Sequence, residues 1–146
     1  MDRAVDQRLM RRAIAIARAR LGQTGDNPAV GCVIALGDVV LAEAATGAGG
    51  RPHAEEQALA RAGDAARGAT AYVSLEPCAE RSTGAPSCSE RLIAAGIARV
   101  VIAGADPGPK ASGRGEDRLR AAGVAVESGV LAAEAEPLYA DYRRRL

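Results

Sequence analysis

The chain has 146 residues, 48% of them hydrophobic, with 19 basic side chains nearly balanced by 18 acidic ones. That length suits one domain with a buried core, and no apolar run approaches the roughly 18 residues that a membrane helix requires. With no Phe or Trp and only three Tyr, the chain lacks the stacking platforms of a single-strand binder, so neither nucleic acid nor a membrane is an expected partner.

In chain order, Val5 to Leu21 sets Leu9, Ile14, Ile16 and several alanines among arginines, the pattern of an amphipathic helix ended by Gly22. Gly25-Asp26-Asn27-Pro28 is a loop. Val30 to Leu36 reads as a buried strand containing Cys32, and Gly37-Asp38 turns it into a second strand from Val39 to Ala42. A glycine-rich approach over Gly47 to Pro52 leads to His53. Ala54 to Ala62 then forms a helix closed by Gly63. Thr70 to Leu75 is a strand ending at a Pro77-Cys78 turn. Ser87 or Ser89 caps a helix running to Ala95, which Gly96 stops. Arg99 to Ala103 is a strand followed by a Gly/Pro-rich loop from Gly104 to Gly115. Glu116 to Ala122 is a helix, Val124 to Val126 a short strand, and Leu131 to Arg145 the last helix. An early hairpin followed by strands alternating with helices predicts an α/β sandwich around one mixed sheet of about five strands, a single domain over 1–146.

The chemistry concentrates between His53 and Cys88. His53 is the only histidine, Cys78 and Cys88 are two of three cysteines, and Glu55 follows His53 by two residues. One imidazole and two thiolates suit Zn²⁺, and three protein ligands leave a fourth position for water, as catalytic sites require. A closed structural site would need a fourth ligand, and the chain has no second histidine. An odd cysteine count without a secretory signal pattern predicts a reduced, cytoplasmic protein, where spaced Cys and His signal metal more than disulfide. His53 and Cys78 are each expected at a helix start, where partial positive charge favours the thiolate, with Pro77 suited to a first turn. Glu55 is the candidate proton carrier between water, a ring nitrogen and a departing amine. The competing readings are a structural or inert cysteine pair, and Glu55 as an ordinary solvated first-turn acid. Cys32 reads as a small buried hydrophobe.

His-x-Glu followed by Pro-Cys and a second Cys is the pattern of zinc nucleobase deaminases, in which two residues commonly separate the cysteines. Here Ala79 through Ser87 intervene, as in the riboflavin-pathway pyrimidine deaminases. The chain resembles the diaminohydroxyphosphoribosylaminopyrimidine deaminase family over nearly its full length. Asn27-Pro28-Ala29-Val30-Gly31-Cys32-Val33, His53-Ala54-Glu55, Tyr72 through Cys78, Leu92 through Val100, Asp106-Pro107, Gly113-Arg114-Gly115 and the stretch through Glu136 carry the resemblance. It implies a cytidine-deaminase-like three-layer α/β/α sandwich and hydrolytic release of ammonia from a small amino-heterocycle, with a diaminopyrimidine carrying a ribosyl or ribityl phosphate first among the candidates. It also implies a homodimer or homotetramer, and a separate reductase as a pathway partner where none is fused.

Asn27 and Asp106 match family positions that contact the substrate. Glu80, Arg81 and Arg114 are further candidates for substrate contacts, and Arg51 and Lys110 for a phosphate. Three pocket positions depart from the family pattern. Ala45-Thr46 replace Tyr-His, Ala79-Glu80 replace Ser-His in a longer loop, and Gly108 replaces the Asn of an Asp-Pro-Asn-Pro loop. Arg81-Ser82-Thr83-Gly84 is closer to the fungal riboflavin deaminases, which act on a ribitylamino pyrimidine. Another nucleobase, nucleoside or pterin is the alternative substrate. A zinc-stabilised binding module or scaffold without catalysis is the alternative of another class.

Overall fold

The computed structural model describes residues 2–146. Helix α1 (Arg3–Arg18) starts where the Asp2 carboxylate accepts the Ala4 and Val5 N–H groups, two residues before the apolar pattern begins. Strands β1 (Gly31–Leu36) and β2 (Val39–Ala45) form the early hairpin, with β2 three residues longer than expected. The glycine-rich approach to His53 contains a short 3₁₀ turn at Ala48–Gly50. Helix α2 (Ala54–Ala62) and strand β3 (Thr70–Leu75) have the expected bounds. Then follow α3 (Cys88–Ala94), β4 (Arg99–Gly104), α4 (Arg114–Ala121), β5 (Ala125–Glu127) and α5 (Ala132–Arg144). Helix α4 begins earlier than its charge pattern suggests because Gly113, at φ 83°, turns the chain into it.

The strand order is β2-β1-β3-β4-β5. The pairs β1–β2 and β1–β3 are antiparallel, and β3–β4 and β4–β5 are parallel. Alternation along the strands divides the core in two. Cys32, Ile34, Ala71, Val73, Val100 and Ile102 face α2, α3 and α4 through Ala58, Leu92 and Leu119. Val33, Ala35, Tyr72, Val101 and Ala103 face α1 and α5 through Leu9, Met10, Ala13, Leu138 and Tyr139. The result is the predicted three-layer sandwich. Among the described residues no helix is long and apolar enough to cross a membrane.

Two features lock the second layer to the sheet. A Cβ at Gly31 would lie 1.9 Å from the Ala13 carbonyl oxygen, so only glycine lets α1 approach β1 this closely. Buried Arg99 of β4 pairs with buried Asp6 of α1 at 2.6 Å, and the Tyr72 hydroxyl donates to the same carboxylate at 2.7 Å. The Arg99 guanidinium holds the Asp6 carboxyl below its ordinary range against the opposing effect of burial, and the Tyr72 hydrogen bond reinforces it.

Candidate active site

The site lies where β1 starts and β3 ends, beside the starts of α2 and α3. His53 caps α2, and its backbone N–H donates to Glu56 Oε1 at 3.2 Å. Cys88 is the first residue of α3, with Ser87 as its cap. Cys78 lies in the loop after β3, so the expectation that it and Pro77 open a helix is corrected: the ligand at a helix start is Cys88. The helix still acts on Cys78, because the Cys88 N–H donates to Cys78 Sγ at 3.3 Å. Ser89 pins the loop by donating to the Cys78 carbonyl from its N–H at 3.1 Å and its hydroxyl at 2.8 Å.

These contacts gather three ligand atoms. His53 Nδ1 is 3.3 Å from Cys88 Sγ, and the ligand atoms of His53, Cys78 and Cys88 all lie within 4.8 Å of one another. Such separations suit a tetrahedral ion with bonds of about 2.0–2.3 Å to nitrogen and sulfur. Hydrogen bonding from Cys88 brings the Cys78 thiol down to about 4, against the effect of its burial, with His53 adding to the fall. The Cys88 thiol is raised as the partner that keeps the proton, and burial raises it further. Both sulfurs give up their protons as metal ligands. One nitrogen, two sulfurs and an open side fit zinc. Cys32 stays apart from this cluster as a fully buried hydrophobe.

Glu55 is 4% exposed and lines the cavity in front of these ligands, which excludes the solvated-acid reading. Burial raises its carboxyl to about 7, and the Cys78 thiolate adds to the rise. The cavity has a volume of about 150 Å³, a size that admits a single aromatic ring. Anything attached to that ring must extend toward solvent.

Of the other candidates, Asn27, Glu80, Arg81 and Asp106 line this cavity, as do Arg51 and Lys110. Asn27 is fixed by donating from Nδ2 to the Gly50 carbonyl at 3.0 Å. Arg81 is committed to Glu56 at 2.6 Å, with its side chain 7% exposed, so much of its charge is already compensated. Arg114 is not brought to the cavity wall. Its guanidinium instead bonds the Pro109 carbonyl at 2.8 Å and Glu80 at 3.2 Å. Arg114 thus stands outside the cavity wall, against the lining residue Glu80.

Sequence reasoning missed Glu76 and Tyr142, and placed Thr46 at the pocket without giving it a role. Buried Glu76 accepts the N–H groups of Asp106 at 3.3 Å, Gly113 at 3.0 Å and Glu116 at 3.2 Å, and so holds the loop carrying Asp106. An acid at the end of an apolar strand, next to Pro-Cys, was its available signal. Thr46 is buried and accepts the Val30 N–H at 2.9 Å, so its hydroxyl serves the loop below Asn27. Tyr142 of α5 also lines the cavity and donates to Asp106 Oδ1 at 3.0 Å.

Comparison with known proteins fits this geometry. Residues 3–104 match the family described as the cytidine and deoxycytidylate deaminase zinc-binding region. The chain is 40% identical over 137 residues to a diaminohydroxyphosphoribosylamino-pyrimidine deaminase of Buchnera aphidicola, covering 94% of this chain and 92% of that protein. It is 44% identical over 141 residues to the riboflavin biosynthesis protein RibD of Escherichia coli, covering 97% of this chain and 38% of that protein. The solved structure of Acinetobacter baumannii RibD superposes with a TM-score of 0.92 at 41% identity, covering 99% of this chain and 40% of that one. The chain thus spans about two fifths of the RibD proteins that it matches. It belongs to the cytidine and deoxycytidylate deaminase zinc-binding family, and within it to the deaminase domains of riboflavin biosynthesis.

Proposed function

We propose that the chain is a zinc-dependent hydrolase that deaminates a diaminopyrimidine of riboflavin biosynthesis bearing a sugar phosphate. The convergence of His53, Cys78 and Cys88 beside buried Glu55, in a cavity sized for one ring, carries this reading. Its likeness to the Buchnera deaminase supports the substrate class.

Zinc, when bound, supplies a Lewis acid that activates water at neutral pH. The chain's residues do the rest. Helix starts at His53 and Ser87 and the Cys88 N–H fix the ligand set. The Glu55 carboxylate takes a proton from water as the new C–O bond forms, and delivers it to the ring nitrogen. A second transfer through Glu55 carries the proton of the newly attached hydroxyl to the exocyclic amine, so the carbonyl forms as the C–N bond breaks and ammonia leaves. Burial, which raises the Glu55 carboxyl above its ordinary value, suits it to accept and donate protons near neutral pH. Asn27 and Asp106 orient the ring, while Arg51 and Lys110 sit at the wall for a phosphate beyond it. A homodimer or homotetramer is the expected assembly, readable by light scattering at micromolar concentration. The reductase acting next in the pathway is the expected functional partner.

The deciding experiment measures ammonia release by the zinc-loaded protein. Its panel holds phosphorylated ribosylamino and ribitylamino diaminopyrimidines, cytosine, cytidine, guanine, pterins and RNA. Turnover should favour the phosphorylated diaminopyrimidines. Activity confined to cytidine or RNA overturns the substrate assignment, and a zinc-loaded protein releasing ammonia from none of them overturns the enzymatic reading.

A further inference from the structure

Tyr142 lies on α5, beyond the 3–104 region that matches the family, yet its hydroxyl reaches the cavity wall. It donates to Asp106 Oδ1 at 3.0 Å, and the Gly108 N–H donates to the same oxygen at 2.8 Å. That oxygen is occupied twice, while Oδ2 accepts no hydrogen bond from the described residues. The carboxylate is thereby fixed in rotation with one acceptor oxygen left for a ligand.

Gly108 shows what makes this possible. A Cβ there would lie 2.9 Å from the Tyr142 hydroxyl and 3.0 Å from Asp106 Oδ1. The tyrosine hydroxyl therefore occupies space that any side chain at position 108 would need. The departure at Gly108 and the tyrosine are two halves of one arrangement: removing a side chain from the loop admits a hydroxyl from the last helix. Tyr139, one helical turn earlier, secures that helix by donating to the Ala29 carbonyl at 2.9 Å and meeting the Ser74 hydroxyl at 2.7 Å. The hydroxyl of Tyr142 is thus delivered by an anchored element.

We infer that Tyr142 is a positioning residue for substrate specificity: through Asp106 it presents a fixed carboxylate oxygen to N–H or O–H donors of the bound amino-heterocycle or its sugar. The inference rests on the deaminase reading above but names a residue beyond its zinc machinery. A carboxylate free to rotate would make the same contact only part of the time, so the loss falls on binding, not on the proton transfers at Glu55.

Tyr142→Phe removes the hydroxyl and keeps the ring. On the panel compound that the zinc-loaded wild type deaminates best, it should raise KM roughly tenfold, as befits a lost hydrogen bond to a charged group, with kcat within about twofold. Zinc content and Tm should stay near wild type. Gly108→Ala should raise KM similarly by displacing the same hydroxyl, and the double variant should be no worse than the more affected single one. For a compound bound without turnover, Kd replaces KM. An unchanged KM in Tyr142→Phe overturns the inference, as does a fall confined to kcat or full additivity of the two substitutions. Wild-type preference for another heterocycle overturns only the diaminopyrimidine reading, since the comparison then runs on that compound. A protein that binds no member of the panel overturns both.

Discussion

Cys88 performs two tasks through different atoms. Its sulfur is a metal ligand by position, 3.3 Å from His53 Nδ1, while its N–H supports the neighbouring Cys78 sulfur. Cys88→Ala keeps the N–H and removes the sulfur, so it should lower bound zinc from one per chain to a small fraction, measured by metal analysis of purified protein. Unchanged stoichiometry would remove the three-ligand cluster from the explanation. Glu55 makes the complementary case, because it lines the cavity without belonging to that cluster. Glu55→Gln preserves its shape but abolishes proton transfer, and should lower kcat by about 10²–10⁴-fold or more while zinc and Tm are retained. Loss of zinc together with activity would show that Glu55 is structural.

At the scale of elements, α1 is tied to the sheet by the pair between Asp6 and Arg99. The Asp6 carboxyl is lowered in the folded protein relative to its ordinary 3.8. A depressed folded value means that this contribution is fully present above the unfolded value and is lost as pH falls through the folded one. Stability should therefore decline below about pH 4. Asp6→Asn should lower stability at neutral pH and flatten the acid limb, measured by denaturant unfolding from pH 2 to 7. An acid limb of unchanged steepness would assign the loss to other carboxylates. Glu76 plays a comparable part for the loop before α4, where three backbone N–H groups converge on one buried carboxylate. It connects the end of β3 to the segment that carries Asp106, so the fold itself sets the pocket wall.

For the whole molecule, the layers are separated by the smallest side chains available. Gly31 against Ala13 brings α1 onto β1, and Gly115 lies so close to the Pro77 carbonyl that a Cβ would be 1.8 Å from it. Gly31→Ala must push the helix away from the strand. It should cost about 1–3 kcal/mol of overpacking, or a Tm lower by roughly 4–10 °C for a chain of this size. A Tm within 1 °C of wild type would mean that the layers slide freely at this contact. The same substitution should leave zinc content intact, because the ligands sit at the starts of α2 and α3 and in the loop after β3, away from α1.

The sequence by itself determined the ligand types, the order of strands and helices, and the family. His53, Glu55, Cys78 and Cys88 are chemically distinctive, and strand alternation writes its two faces directly into residue order. Helix starts were less legible: α1 and α4 begin at Arg3 and Arg114, ahead of their apolar patterns, because Asp2 and Gly113 set the starts. Only the tertiary structure decided which cysteine opens a helix, that Arg81 is paired with Glu56, and that Arg114 stands outside the cavity. It alone brought Tyr142 to Asp106, across 36 positions of sequence. Ligand chemistry is a property of single residues and near neighbours, whereas an ion pair or a pocket wall depends on distances between elements, which no local pattern encodes.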